Sequence, residues 1–260
     1  MKELLIIAGP CVVESQEMTE KIAKEVEEIM HRIHLPGFVF KASYKKANRT
    51  KLDSFTGLDE IDALKILNKI HTDLIVPVIT DIHESADAVI AGNFVDILQI
   101  PAFLCRQTDL ILAAAKNANV VNIKKGQWMS PDSMKYAVEK ARSVMPEFGK
   151  VWVTERGSSF GYSHNVVDFT GIPIMKQFAD KVIVDCTHSV QVPNSGSTTG
   201  GNPEMIETIA LAAVAAGADG LFFEVHPDPK NSPSDAASIL DIKKLEDIVI
   251  KCMKVREAIQ

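Results

Sequence analysis

Cysteine is scarce, and its spacing is uninformative. Cys11, Cys105, Cys186 and Cys252 form no CxxC pair and no disulfide framework. Thiols this sparse fit a reducing cytoplasm, where they are either inert or ligands. Long apolar runs are missing too: none approaches the ~18 residues that a membrane helix needs. The first residues, MKELLIIAGPCVVES, have acidic groups on both sides of their short apolar run and read as a strand, not a signal peptide. Neither GxGxxG nor GxxxxGK[ST] occurs, so neither glycine fingerprint of a nucleotide site is available. A basic excess is also absent. With 28 Lys and Arg against 34 Asp and Glu, the net charge of -6 argues against a general nucleic-acid surface.

What is present is globular in proportion, at 46% hydrophobic and 24% charged residues. No repeat, low-complexity tract or linker interrupts it, so one domain over residues 1–260 is expected. Eight short runs rich in Val, Ile and Phe recur at 4–9, 38–43, 76–82, 96–102, 120–124, 151–155, 181–188 and 220–226. They are apolar on both faces, as strands of a covered parallel sheet are. Amphipathic segments fill the gaps. Ser15 can cap a helix carrying Met18, Ile22, Val26, Ile29 and Ile33. Ser130-Pro131 and Asn202-Pro203 open others, Gly217 can close the latter, and Asp241 opens the last. Residues 156–180 read as a long loop with a short helix. This order predicts an α/β fold of the (β/α)8 barrel type, with an open doubly wound sheet as the rival.

In such a barrel the chemistry lies where strands end. Lys41, Lys46, Arg49, Arg106, Lys124 and Arg156 follow strands 2, 4, 5 and 6, and in an acidic chain they point to an anion of several charges. Cys11, His188, Glu224 and Asp235 follow strands 1, 7 and 8, which become neighbours on closure. A thiolate, an imidazole and two carboxylates suit a divalent transition metal. Cys186 and His226 each lie two residues from a member of this set, so spacing leaves the choice of ligands open. The glycine-rich stretch at 194–203 reads as a loop over the barrel mouth.

The runs AGPCVVES, FKASYKKANRT, TDIHE, LQIPAFLCRQTDL, NIKKGQ, TERGSSFGY, DCTHSVQ and FFEVHPDP with SDA occur in this order along nearly the whole chain. Together they resemble the 3-deoxy-D-manno-octulosonate 8-phosphate (KDO 8-phosphate) synthases. The related 3-deoxyheptulosonate 7-phosphate synthases carry a KPRTSP-like stretch where this chain has KASYKKANR. The resemblance implies a (β/α)8 barrel, a cytoplasmic homotetramer, and condensation of phosphoenolpyruvate with arabinose 5-phosphate in lipopolysaccharide synthesis. Neither nucleic acid nor membrane is an expected partner. It further implies that Lys41, Ser43, Lys46, Gln99, Lys124 and Arg156 meet phosphoenolpyruvate. Asn48, Arg49 and Thr50 would face the sugar phosphate, and Arg106 would reach that of a neighbouring subunit. Asp81 and His83, with Lys46, would lie near the reacting carbons. Cys after AGP implies the metal-dependent group, with Cys11, His188, Glu224 and Asp235 holding one Zn, Fe, Mn or Co ion. The alternatives are a heptulosonate 7-phosphate synthase-like enzyme and a non-catalytic barrel that binds sugar phosphate.

Overall fold

The structure, a computed structural model, describes residues 4–49, 52–159, 163–192 and 200–259. Eight parallel strands form the barrel: β1 (Leu5–Gly9), β2 (Val39–Lys41), β3 (Val78–Asp81), β4 (Ile97–Ile100), β5 (Val120–Lys124), β6 (Lys150–Glu155), β7 (Lys181–Asp185) and β8 (Gly220–His226). Each pairs with the next, and β8 returns to β1 with Leu5 opposite Gly220 and Gly9 opposite Glu224. Closure by this pairing settles the choice between barrel and open sheet. A two-residue strand, Leu240–Asp241, extends the pairing of β8, and Gln191–Val192 pairs antiparallel with Gly200–Gly201.

Helices α1 (Gln16–Arg32), α2 (Glu60–Leu74), α3 (Ser85–Ala91), α4 (Thr108–Asn117), α5 (Lys135–Arg142), α6 (Gly171–Met175), α7 (Ile206–Ala215) and α8 (Leu245–Ala258) fall between and after the strands. The Ser15 side chain caps α1 by accepting from the Met18 N–H. One face of α1 buries Ile22, Ala23, Val26, Ile29 and Met30. The Pro131, Pro203 and Ile242 starts each form a single 3-10 turn before the α-helix proper. Gly217, with φ +87°, ends the α7 segment in the left-handed region as the sequence suggests. Among the described residues between 156 and 180, Ser158 and Val166 form an isolated bridge, and the short α6 follows. No helix among the described residues is long and apolar enough to cross a membrane.

Alternation along the strands separates two cores. Ile6, Ala8, Phe40, Leu98, Val121, Val153, Val184, Leu221 and Phe223 pack outward with the helices. Ile7, Val39, Ile79, Ile97, Trp152, Ile183 and Phe222 form a second cluster, the packed floor inside the barrel. Two residues further along the same faces come Gly9, Lys41, Asp81, Gln99, Thr154, Asp185 and Glu224, at the mouth. A Cβ at Gly9 would sit 2.0 Å from the Lys41 carbonyl oxygen, so only glycine lets β1 and β2 approach there.

Candidate active site

At the mouth a thiol and two carboxylates converge. Cys11 follows β1, Glu224 is near the end of β8, and Asp235 lies in the loop after β8 with φ +51°. Their ligand atoms all lie within 4.8 Å of one another, the one such group among the described residues. Cys11 Sγ donates 3.0 Å to Asp235 Oδ2 and lies 3.0 Å from Ser234 Oγ. His188, the fourth candidate, approaches from beyond β7 and places Nε2 3.5 Å from Glu224 Oε2. That oxygen is buried without a hydrogen-bond partner. A soft sulfur, an imidazole nitrogen and an unsatisfied carboxylate oxygen make a donor set that fits a divalent transition metal. Burial first, then Glu224 and Asp235, raises the Cys11 pKa well above its ordinary value, so a bound metal would have to displace the thiol proton.

The two rival ligands drop out. Cys186 lies past the end of β7 and packs into the outer core. His226 stays on the strand, but its Nε2 faces Glu14 Oε1 at 2.9 Å while Nδ1 accepts from the Asp228 N–H at 3.0 Å. It braces the loop after β1 against the loop after β8.

Cations surround the cluster. Lys41 Nζ, fully buried, pairs with Glu224 Oε1 and donates 3.0 Å to the Cys11 carbonyl. Lys46 Nζ is 3.9 Å from the same Glu224 oxygen. Burial opposes charge on Lys46, but the carboxylates Glu224, Asp81 and Asp235 outweigh it and push its pKa above the usual lysine value. Burial likewise opposes ionisation of Glu224, and Lys41, His188 and Lys46 reverse that and hold it well below the carboxylate range. Lys124 Nζ bonds Asp185 Oδ2 at 2.7 Å and sits 4.1 Å from the Phe222 ring centroid. Arg156 donates through Nη2 to Gln191 Oε1 at 2.9 Å and leaves Nη1 buried and unpartnered. Arg49 Nη2 reaches Ser234 Oγ at 2.8 Å, beside the thiol, and its Nε is also unpartnered. Buried guanidinium donors without hydrogen-bond partners are what an anion would complete.

Asp81 ties the other wall together. It accepts from Ser43 Oγ and from Gln99 Nε2. The relay continues from Asn122 to Gln99 and from Thr154 to Asn122, each at 2.8 Å. Burial works against the Asp81 charge, but Lys41, Lys46 and Lys124 lower its pKa below the ordinary range. His83 follows Asp81; its Nδ1 is buried, makes no hydrogen bond and lies 3.8 Å from Asp87 Oδ2. Desolvation lowers its pKa against the pull of Asp81 and Asp87, which favours a neutral imidazole.

Most predicted positions therefore meet at one mouth. Asn48 lies in the loop after β2, between Lys46 and Arg49. Arg106 stands apart, exposed beyond β4, with its carbonyl accepting from Lys140. Thr50 and most of the glycine-rich 194–203 stretch lie outside the described residues. Sequence reasoning assigned no role to Asp185, Ser234, Gln191 or Glu14. Asp185 carried a usable signal, a charge ending an apolar strand, the same signal that marked Lys41 and Lys124. The others owe their place to loop geometry. The run GSSFG at 157–161 has the spacing of a hydrolase nucleophile elbow, but β6 leads into the Ser158–Val166 bridge and not directly into a helix.

Residues 2–260 match the model of the DAHP synthetase I family. The chain belongs to that family. Within it, the chain is similar to proteins named 2-dehydro-3-deoxyphosphooctonate aldolase. The one from Koribacter versatilis is 49% identical over 261 residues, covering 99% of this chain and 92% of the relative. The Desulfotalea psychrophila protein is 45% identical, covering 99% and 91%. A third, from Campylobacter jejuni subsp. doylei, is 43% identical with full coverage of both. DAHP synthetase I membership and the mouth geometry together direct attention to one strand-end surface.

Proposed function

We propose that this chain is a 3-deoxy-8-phosphooctulonate synthase, the enzyme that the relatives' name also describes. It condenses phosphoenolpyruvate with D-arabinose 5-phosphate and water to give 3-deoxy-D-manno-octulosonate 8-phosphate and inorganic phosphate. The observation that carries this reading is the pairing of two sets at one mouth: buried cations with unfilled donors, and the Cys11–Glu224–Asp235 cluster facing His188.

Phosphoenolpyruvate brings a carboxylate and a phosphate, and Lys41, Lys124 and Arg156 offer charge to both, with Ser43 and Gln99 completing the contact. Asn48, Arg49 and Thr50 would take the sugar phosphate and its hydroxyls, with Arg106 acting on the partner's site of a homotetramer. Holding both substrates by their anionic ends brings C3 of the enol to the aldehyde carbon before any bond forms. A carbon–carbon bond then forms, the aldehyde oxygen gains negative charge, and C2 of the enol becomes electrophilic. Water adds to C2, and the C2 oxygen bond to phosphate breaks as phosphate leaves. The raised pKa of Lys46 keeps it a cation able to stabilise that oxygen. The His83 imidazole, kept neutral by desolvation, would accept a proton from the attacking water, next to Asp81. A divalent transition metal held by Cys11, His188, Glu224 and Asp235 would supply Lewis-acid polarisation at this position. In this reading the product serves lipopolysaccharide synthesis, and the protein works in the cytoplasm.

The test is inorganic phosphate release from phosphoenolpyruvate with each of two aldoses. Release that needs arabinose 5-phosphate and is at least tenfold slower with erythrose 4-phosphate supports the assignment. Preference for the four-carbon sugar moves the chain to the heptulosonate reaction, and no release with either sugar and any divalent metal refutes catalysis.

A further inference from the structure

Between the two sets lies a carboxylate that belongs to neither. Asp185 ends β7, is fully buried, and uses both oxygens twice. Oδ1 accepts from the backbone N–H of Thr187 at 3.1 Å and of His188 at 2.8 Å. Oδ2 accepts from Lys124 Nζ at 2.7 Å and lies 2.8 Å from His188 Nδ1. Two backbone N–H groups and an ammonium are directed at it, so the carboxylate acts as an acceptor throughout.

That fact fixes the proton on the imidazole. His188 Nδ1 must carry the hydrogen that Asp185 receives, so Nε2 is left to face Glu224 Oε2. A carboxylate behind an imidazole fixes the orientation of the ring. The same oxygen fixes the Lys124 ammonium over the Phe222 ring. One side chain thus sets the direction of a candidate metal ligand and the position of a candidate phosphoenolpyruvate contact.

We infer that Asp185 is a positioning residue shared by the two halves of the site, holding His188 with Nε2 toward the Cys11–Glu224–Asp235 cluster and Lys124 toward phosphoenolpyruvate. The Lys124 half rests on the function proposed above; the His188 half does not. Replacing Asp185 by Asn keeps an acceptor for the backbone N–H groups but turns the other side into a donor. An amide there opposes the Lys124 ammonium and asks His188 Nδ1 to accept, which moves the ring proton to Nε2, where a metal would bind.

The experiment measures two affinities on the full-length chain. Zinc binding is measured by competition with a chromogenic chelator, and phosphoenolpyruvate binding by calorimetry on the zinc-loaded protein. Asp185→Asn is expected to weaken zinc by roughly 10–100-fold, the usual effect of losing such a partner, and to weaken phosphoenolpyruvate as well. Lys124→Ala is expected to weaken phosphoenolpyruvate alone, and His188→Gln to weaken zinc alone. Unchanged zinc affinity in Asp185→Asn overturns the His188 half, and unchanged phosphoenolpyruvate affinity overturns the shared role. If Lys124→Ala leaves phosphoenolpyruvate binding intact, the placement of that substrate fails and takes the Lys124 half with it, while the zinc arm still judges His188. A measurement on the unsubstituted protein covers the case in which Asp185→Asn does not fold. In ¹⁵N-histidine spectra, with His188 assigned by its loss in His188→Gln, the Nδ1 resonance should be that of a protonated nitrogen. An Nδ1 lone pair overturns the proposal.

Discussion

Two residues separate the floor of this barrel from its mouth, and they lie on the same inward faces of the same strands. Val39 precedes Lys41, Ile79 precedes Asp81, Ile97 precedes Gln99, Ile183 precedes Asp185 and Phe222 precedes Glu224. The lower member of each pair joins an apolar cluster that needs no partner. The upper member is a polar or charged group buried just as deeply, and it is tolerated because a neighbour satisfies it: Glu224 for Lys41, Ser43 and Gln99 for Asp81, Lys124 for Asp185. Burying ions costs more than burying hydrocarbon, and hydrophobic replacements of similar volume often stabilise a fold. The mouth therefore holds groups placed for chemistry at the expense of stability, and the floor holds groups placed for stability.

The sharpest way to break that contrast is to neutralise a mouth carboxylate. Glu224→Gln keeps the shape of the side chain but removes a ligand charge and the partner of Lys41. Lewis-acid stabilisation is worth several kcal/mol, so turnover is expected to fall by on the order of a thousandfold. Steady-state phosphate release checks this, and a variant within tenfold of the parent would remove Glu224 from the chemistry.

On the floor the effects should be reversed. Ile79→Ala, two residues below Asp81, opens a cavity in the inner cluster and is expected to lower unfolding free energy by about 2–5 kcal/mol. The rate per folded molecule should stay within about twofold, since a well-packed floor bears no charge that the reaction uses. Urea unfolding and active-site-normalised rates measure the two quantities separately. A large rate loss with unchanged stability would erase the distinction between floor and mouth.

How far this contrast was legible beforehand depends on the element. Runs 120–124 and 220–226 coincide with β5 and β8, because polar or small residues bracket an apolar stretch. The run 181–188 overshoots: β7 ends at Asp185, whose Oδ1 captures the Thr187 and His188 N–H groups and turns the chain. An apolar pattern does not register where a side chain takes over from the strand ladder. Helices α3 and α4 lacked a strong start signal, since Glu84 and Gln107 stand at their N-cap positions. At the site, residue type and strand-end position marked Cys11, Glu224 and Asp235, but the choice of Cys11 over Cys186 and Glu224 over His226 needed coordinates. A spacing of two places Cys186 on the same face as His188, and His226 on the same face as Glu224. The Lys124–Asp185 and Cys11–Asp235 contacts span 61 and 224 positions, and only barrel closure brings them together.

A smaller effect sharpens the comparison through pH. The Asp81 pKa is depressed in the folded state, so its charge stabilises the fold above the unfolded carboxylate value of about 3.9. That contribution is lost as pH falls through and below this value, because the unfolded chain then takes up a proton that the folded chain refuses. Asp81→Asn should make unfolding free energy less steep between about pH 4 and pH 2, by up to ~1.4 kcal/mol per pH unit. Equal slopes in the two proteins would mean that Asp81 is not ionised in the fold.

The most direct measurement strips the metal and follows both halves of the mouth at once. Elemental analysis confirms removal, calorimetry reads phosphoenolpyruvate binding, and phosphate release reads turnover. Turnover lost on removal and restored by about one equivalent of Zn, Fe, Mn or Co per chain, with phosphoenolpyruvate still bound by the stripped protein, is the predicted result. Undiminished turnover in protein proven metal-free would contradict the assignment of Cys11, His188, Glu224 and Asp235.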